Sequence, residues 1–114
     1  MTARLTVTAE AASLSTARAF VGSTLRVLGV GSESLHDARL LVTELMTGML
    51  SDAGGTVTVD VRSADGSTPG ALVDVIGSDG VRGPGLDELL SGAGFEITSI
   101  EHGWRFVVGG ASDG

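Results

Sequence analysis

The sequence predicts an α+β domain: a two-layer α/β sandwich whose mixed or mostly antiparallel sheet carries helices on one face. Two segments with helical apolar periodicity follow a short first strand, and strands joined by short loops come after them. Short loops between strands favour antiparallel pairing, which is the reason for expecting that kind of sheet. The chain has 114 residues and shows no internal repeat or linker, so residues 1–114 are predicted to form one domain.

The first half of the chain supplies one strand and two helices. Residues 5–7 alternate and predict a strand, after which Ser13 or Ser15 is expected to cap the first helix and Gly29 and Gly31 to end it. The apolar face of this helix is predicted to consist of Leu14, Ala17, Val21, Thr24 and Leu28. Ser32 is expected to cap the second helix. Its apolar stripe advances in steps of three and four residues through Leu35, Ala38, Val42, Leu45 and Met49.

The second half of the chain is rich in strands. Alternating residues predict strands at 56–62, 71–76, 95–100 and 104–108. A glycine-rich segment, 77–85, and a short helix over 86–91 separate the second of these strands from the third. His102 and Gly103 are predicted to form a tight hairpin turn, and the tail is expected to fray from Gly109 onward.

Composition excludes several functional classes. The net charge is −7 and the chain has no lysine, which disfavours a protein that binds nucleic acid through its phosphate backbone. There is no cysteine, so neither a disulfide nor a thiolate site is expected. The sequence shows no signal peptide and no apolar stretch of membrane-spanning length, so a cytoplasmic protein that does not enter membranes is the expectation.

The second helix carries the most informative motif, the stretch from His36 to Gly48. It resembles the nucleotide-motif helix of the histidine-kinase-like (GHKL) ATPases, and it is most similar to that of the anti-sigma serine kinases of Gram-positive bacteria. That helix runs acidic-Ala-x-Leu-x-x-x-Glu-Leu-x-x-Asn in the family. Residues 12–21 also resemble the family's first helix, in which Ala-Arg-x-Phe-Val is common. The resemblance covers nearly the whole chain and implies the Bergerat, or histidine-kinase-like ATPase, fold with a truncated lid.

The resemblance assigns roles to two positions of this helix. Glu44 matches the family's Glu, which helps to activate water or substrate. Gly48 stands where the family has the Asn that ligates the Mg²⁺ of Mg-ATP, and it has no side chain for this purpose. The sequence contains no asparagine or glutamine at all, Asp52 belongs to the following turn, and Thr47 is expected on another helix face. No metal ligand is therefore predicted, and Glu44 is either a surviving general base or a solvated carboxylate.

Glycine-rich turns supply the remaining candidates. The family's adenine motif, Asp-x-Gly-x-Gly, fits Asp79 with Gly80 and Gly83 if a small insertion is allowed, whereas a gapless alignment places Gly77 at the Asp position. A plain turn at Asp79 is the competing interpretation. Gly83 and Gly85 resemble the second glycine box ahead of a helix, where phosphate binds to N–H groups. Only residues 81–82 separate the two boxes, where the family has a long lid.

These features lead to one main functional hypothesis and two alternatives. The main hypothesis is a degenerate histidine-kinase-like domain that is not an enzyme, uses no cofactor and regulates by binding protein. The resemblance implies a sigma factor or an anti-sigma antagonist as partner, and a homodimer. The first alternative is an active ATP-binding serine kinase, in which Glu44 is the base and Asp79 contacts adenine. The second is an anti-sigma antagonist domain, which two consecutive N-terminal helices disfavour.

Overall fold

In the residues that the structure describes, the fold combines a sheet with two helices. The computed structural model describes residues 2–50, 54–63, 70–78 and 96–109. The elements in these ranges are β1 (Thr2–Thr8), α1 (Ser13–Val27), α2 (Ser32–Thr47), β2 (Thr56–Ser63), β3 (Gly70–Gly77), β4 (Glu96–Ile100) and β5 (Gly103–Gly109). The predicted helix over 86–91 lies outside the described residues, as does the tail after Gly109, which is itself the last residue of β5.

The strands form one five-stranded sheet in the order β1-β2-β3-β5-β4. All four neighbouring pairs are antiparallel, so the predicted α+β class and antiparallel pairing are confirmed, and no parallel pair occurs among the described strands. β5 lies between β3 and β4, so among the described strands β4 is at one edge of the sheet and β1 at the other. Within the described ranges, no helix is long and apolar enough to cross a membrane.

The two faces of the sheet differ in burial because side chains alternate along each strand. One face, called the inner face below, carries fully buried residues of β2, β3 and β5. These residues are Val57, Val59, Val61, Ala71, Val73, Val75, Phe106 and Val108. They form one hydrophobic core with the buried side chains of the two helices, so the helices use the sheet to cover their apolar stripes.

The apolar stripe predicted for α2 is confirmed, because all five of its members are buried. The predicted helix caps are wrong by one residue or more. Ala12 precedes α1 and Gly31 precedes α2, and neither helix has a side-chain cap hydrogen bond. Ser13 is instead the first residue of α1, and its hydroxyl lies 3.2 Å from that of Thr8 at the end of β1. This contact connects the helix start to the sheet.

The predicted hairpin turn is also displaced by one residue. Ile100 pairs with Gly103, so Glu101 and His102 form the turn, and His102 adopts a left-handed φ of 63°. Gly103 is already part of β5, where a Cβ atom would collide with the backbone carbonyl of Val75. The glycine is required by this close approach of β3 to β5, and the turn itself does not need it.

Candidate functional site

Helix α2 places Glu44 at the surface. The helix buries Leu41, Val42 and Leu45 on its core side, and Glu44 lies on the opposite side, where its side chain is exposed. The helical repeat of 3.6 residues produces this division, since residues 41, 42 and 45 share one face. A carboxylate in this position is accessible to solvent and to any molecule that approaches the C-terminal end of the helix.

Gly48 ends α2 one turn after Glu44. The Gly48 N–H donates a hydrogen bond to the Glu44 carbonyl oxygen at 3.3 Å, so the two residues are in adjacent helical turns as the motif requires. The backbone of Gly48 has φ −72° and ψ −9°, a conformation that every amino acid adopts readily. Backbone geometry therefore does not require glycine here, yet the position offers no oxygen ligand to a cation.

Two hydroxyl groups near this end of α2 are engaged in the helix itself. Thr47 donates to the Thr43 carbonyl at 2.7 Å, and Thr43 donates to the Arg39 carbonyl at 2.9 Å. This back-bonding points both hydroxyls along the helix toward its N-terminus. The part of the chain that the structure describes contains no group of three or more His, Cys, Asp or Glu residues that could hold a metal ion.

The remaining candidates for a nucleotide site, Asp79, Gly80, Gly83 and Gly85, lie outside the described residues, as does Asp52. The structure describes the chain up to Ser78. Ser78 connects β3 to β2, because its hydroxyl accepts a hydrogen bond from the Thr56 N–H and its own N–H donates to the Thr56 carbonyl, both at 2.9 Å. Asp79 therefore follows a backbone position that the sheet fixes, and its contact with adenine stays a prediction.

A polar depression of about 420 Å³ lies at the N-terminal end of α2. Its lining consists of Gly31, Ser32, Glu33, Ser34 and Asp37. A helix of 16 residues is about 24 Å long, so this depression is at the far end of α2 from Gly48. It is consequently separate from Glu44 and Gly48, although Asp37 at the start of the motif contributes to its lining.

The outer face of the sheet, opposite the inner face, carries a feature that the sequence analysis did not identify. Four charged residues of neighbouring strands pair directly across the sheet, and we call them the charged row: Arg4 of β1, Asp60 of β2, Asp74 of β3 and Arg105 of β5. Both aspartates are buried, at 7% and 6% exposure, although they lie on the polar face. The signal in the sequence was an aspartate between two valines in each of β2 and β3.

The arginines cover the aspartates of the charged row. Arg105 donates two hydrogen bonds to Asp74, from Nε at 2.7 Å and from Nη2 at 3.0 Å. Arg4 donates one to Asp60 at 2.8 Å, and these hydrogen bonds with the nearby negative charge raise the pKa of both arginines. Oδ1 of Asp60 is buried and has no hydrogen-bond partner within the described residues. The Asp60 carboxylate therefore accepts fewer hydrogen bonds than the Asp74 carboxylate, both of whose oxygens are bonded to Arg105.

Comparison with known proteins leaves the family open: no protein-family model matches the chain, and no curated protein does so either.

Proposed function

We propose that this chain is a degenerate histidine-kinase-like ATPase domain that acts as a regulatory protein-binding module, in the manner of an anti-sigma factor. The five-stranded antiparallel sheet with two helices would then be the two-layer sandwich of that family. The domain would be a bacterial, cytoplasmic regulator of transcription whose ATP site has been lost.

The observation that carries this proposal is Gly48 at the end of α2. A histidine-kinase-like site needs an oxygen ligand for Mg²⁺ one helical turn after the Glu. Gly48 is one turn after Glu44, as its hydrogen bond to the Glu44 carbonyl shows, but it has no side chain. Magnesium requires near-octahedral oxygen coordination, and the neighbouring Thr47 hydroxyl is directed back along the helix.

The short separation of the two glycine boxes supports the same proposal. Only Val81 and Arg82 lie between Gly80 and Gly83 in the sequence. A segment of two residues cannot close over a triphosphate and exclude water as a long lid does. Loss of the metal ligand and loss of the lid would each impair turnover, and together they favour a role in binding.

The proposed partner is a sigma factor or an anti-sigma antagonist, in accordance with the resemblance of α2 to the anti-sigma serine kinases. A homodimer belongs to the same proposal. Binding would not depend on ATP, because the domain would lack a cofactor. A different input, such as the amount of a competing partner, would control it.

An active ATP-binding serine kinase with atypical ligands is the second candidate function. The exposure of Glu44 favours it, because a general base must reach the substrate hydroxyl. In this case Asp79 would contact adenine, the glycine-rich segment would bind the phosphates, and Mg-ATP would be the cofactor.

Calorimetry with ATP and Mg²⁺ separates the two candidates. We expect no heat of binding at millimolar nucleotide, with or without the metal. Metal-dependent binding in the micromolar range would overturn the first proposal. In that event Glu44→Gln should abolish phosphate transfer, whereas Glu33→Gln, a matched change of an exposed glutamate at the other end of α2, should leave it unchanged.

A second measurement addresses the partner. Sigma factors of the native host can be purified singly and titrated with this protein in the presence and absence of ATP. A complex of equal affinity in both conditions is the expected result, and no complex with any of these factors or their antagonists would contradict the anti-sigma role.

A further inference from the structure

We propose that the outer face of the sheet is a docking surface for an acidic, partly apolar segment of another protein. The inference rests on the proposed function in one respect, that the domain works by binding protein. It differs in naming the surface and the chemistry of the partner, neither of which the nucleotide motif indicates.

Among the side chains that the structure describes on this face, the solvent-facing charge is positive; the register also assigns Glu96 of β4 to the position beside Val107. The side chains of Arg4, Arg62 and Arg105 are 67%, 38% and 38% exposed, whereas those of Asp60 and Asp74 are only 9% and 8% exposed. The negative charges therefore lie beneath the guanidinium groups, and an approaching molecule meets the arginines first. A carboxylate can pair with a guanidinium through two parallel hydrogen bonds, which makes it the favoured counterpart.

Arg62 has free bonding capacity. Within the described residues its guanidinium makes one ion pair, with Asp74 at 3.8 Å, which is too long for a hydrogen bond. Asp74 already accepts two shorter bonds from Arg105, so it does not need Arg62. A carboxylate of a partner could bind Arg62 without breaking a hydrogen bond of the domain.

Apolar side chains flank the charged row on both sides. Leu72 pairs with Val107 on one side, and Val107 is 39% exposed. Ile76 and Ile100, on the other side, both pair with Gly103 and are partly exposed. Residues of one strand that share a face are about 7 Å apart, so a partner should alternate carboxylates and apolar groups at that spacing.

The rest of the described surface favours this choice of partner over others. Glu10, Glu33, Asp37 and Glu44 are exposed on or beside the helices, and the whole chain carries a net charge of −7. A basic partner would be drawn to the helices, and a nucleic acid would be repelled by the chain as a whole. The helices also carry Arg18, Arg26 and Arg39, but beside these exposed carboxylates, whereas the aspartates of the charged row lie beneath its arginines. An acidic segment therefore meets less repulsion at the outer face of the sheet than at the described helices.

The test is NMR spectroscopy of the ¹⁵N-labelled protein titrated with a synthetic octapeptide. Every second residue of this peptide is serine, and the residues between the serines are alternately glutamate and leucine. In an extended conformation the glutamate and leucine side chains therefore lie on one face of the peptide. We expect the side-chain Nε–Hε signals of Arg62 and Arg105 and the amides around Leu72 and Val107 to shift. The amides of α1 and α2 should not move.

Two pairs of variants provide matched controls. Arg62→Gln should weaken peptide binding about tenfold, whereas Arg26→Gln, the same change at an exposed position of α1, should leave the affinity unchanged. Val107→Ser should weaken binding by a smaller factor, while Val27→Ser, on the more exposed Val27 of α1, should not. All four positions are at least partly exposed, and a dispersed amide spectrum of each variant establishes that it is folded.

Several results would overturn the inference. These are absence of shifts at millimolar peptide, equal binding of a peptide with lysine in place of glutamate, and the same shifts on addition of a DNA or RNA oligonucleotide. Broadening of outer-face signals with protein concentration alone would make the surface an interface between copies of this chain, which also overturns it. None of these results bears on Mg-ATP binding, so calorimetry still decides the proposed function separately.

Discussion

Asp60 and Asp74 lie directly opposite each other in β2 and β3, and both side chains are buried. Like charges in this relationship destabilise a sheet unless other charges compensate them. Arg4 of β1 and Arg105 of β5 provide this compensation from the strands on either side. The charges of the row are therefore positive, negative, negative and positive across the sheet. These contacts join residues 56 and 31 positions apart, and they form only when the strands are in the native register.

Replacement of Arg105 by glutamine should lower the free energy of unfolding. The change removes both hydrogen bonds to the buried Asp74 and leaves that carboxylate with Arg62 alone. Because the Arg105 side chain is partly exposed, water would compensate in part, and we expect a modest decrease in the urea midpoint that is clearly larger than that of the control. Urea denaturation measures it, with Arg26→Gln as the control, for which a change of about 0.5 kcal/mol or less is expected.

The two aspartates should respond differently to neutralisation. Asp74→Asn weakens two charge-assisted bonds and should cost about 1–2 kcal/mol of unfolding free energy. Asp60→Asn weakens a single bond to the exposed Arg4 and also removes the repulsion from Asp74, so its effect should stay within about 0.5 kcal/mol. Urea titrations of both variants at neutral pH measure this, and an equal cost at the two positions would contradict the described asymmetry.

The sequence predicted the elements well where local pattern decides the structure. The five residues of the α2 stripe are buried because steps of three and four residues fix one helix face. The charged row was not predicted, since it depends on the order β1-β2-β3-β5-β4 and on strand register, which only tertiary packing determines. Among the candidate site residues, the adjacency of Glu44 and Gly48 follows from helix geometry alone. The positions of Asp79 and the glycine boxes depend on loop conformations that no periodicity encodes.

Gly103→Ala should destabilise the sheet strongly. The new Cβ would collide with the Val75 carbonyl and the Ile76 backbone, neither of which can move without separating β3 from β5. We expect a loss of about 2–4 kcal/mol of unfolding free energy, as for other backbone clashes within a packed region. Gly109→Ala is the matched control in the same strand, because a Cβ there meets no atom within 4 Å. Thermal and urea denaturation of the two variants should differ accordingly, and equal stability would place Gly103 in a more open environment.

Gly48→Asn should fold normally and should still fail to hydrolyse ATP. The backbone of Gly48 is in the right-handed helical region, so asparagine fits without strain and the free energy of unfolding should change by less than about 1 kcal/mol. The variant regains the metal ligand of the family, but only Val81 and Arg82 lie between the glycine boxes, so no lid excludes water from the phosphates. A phosphate-release assay with Mg-ATP measures the rate. ATP hydrolysis by Gly48→Asn that is abolished when Glu44→Gln is added would contradict this expectation. It would show that the absence of an asparagine side chain at position 48 is the only cause of inactivity.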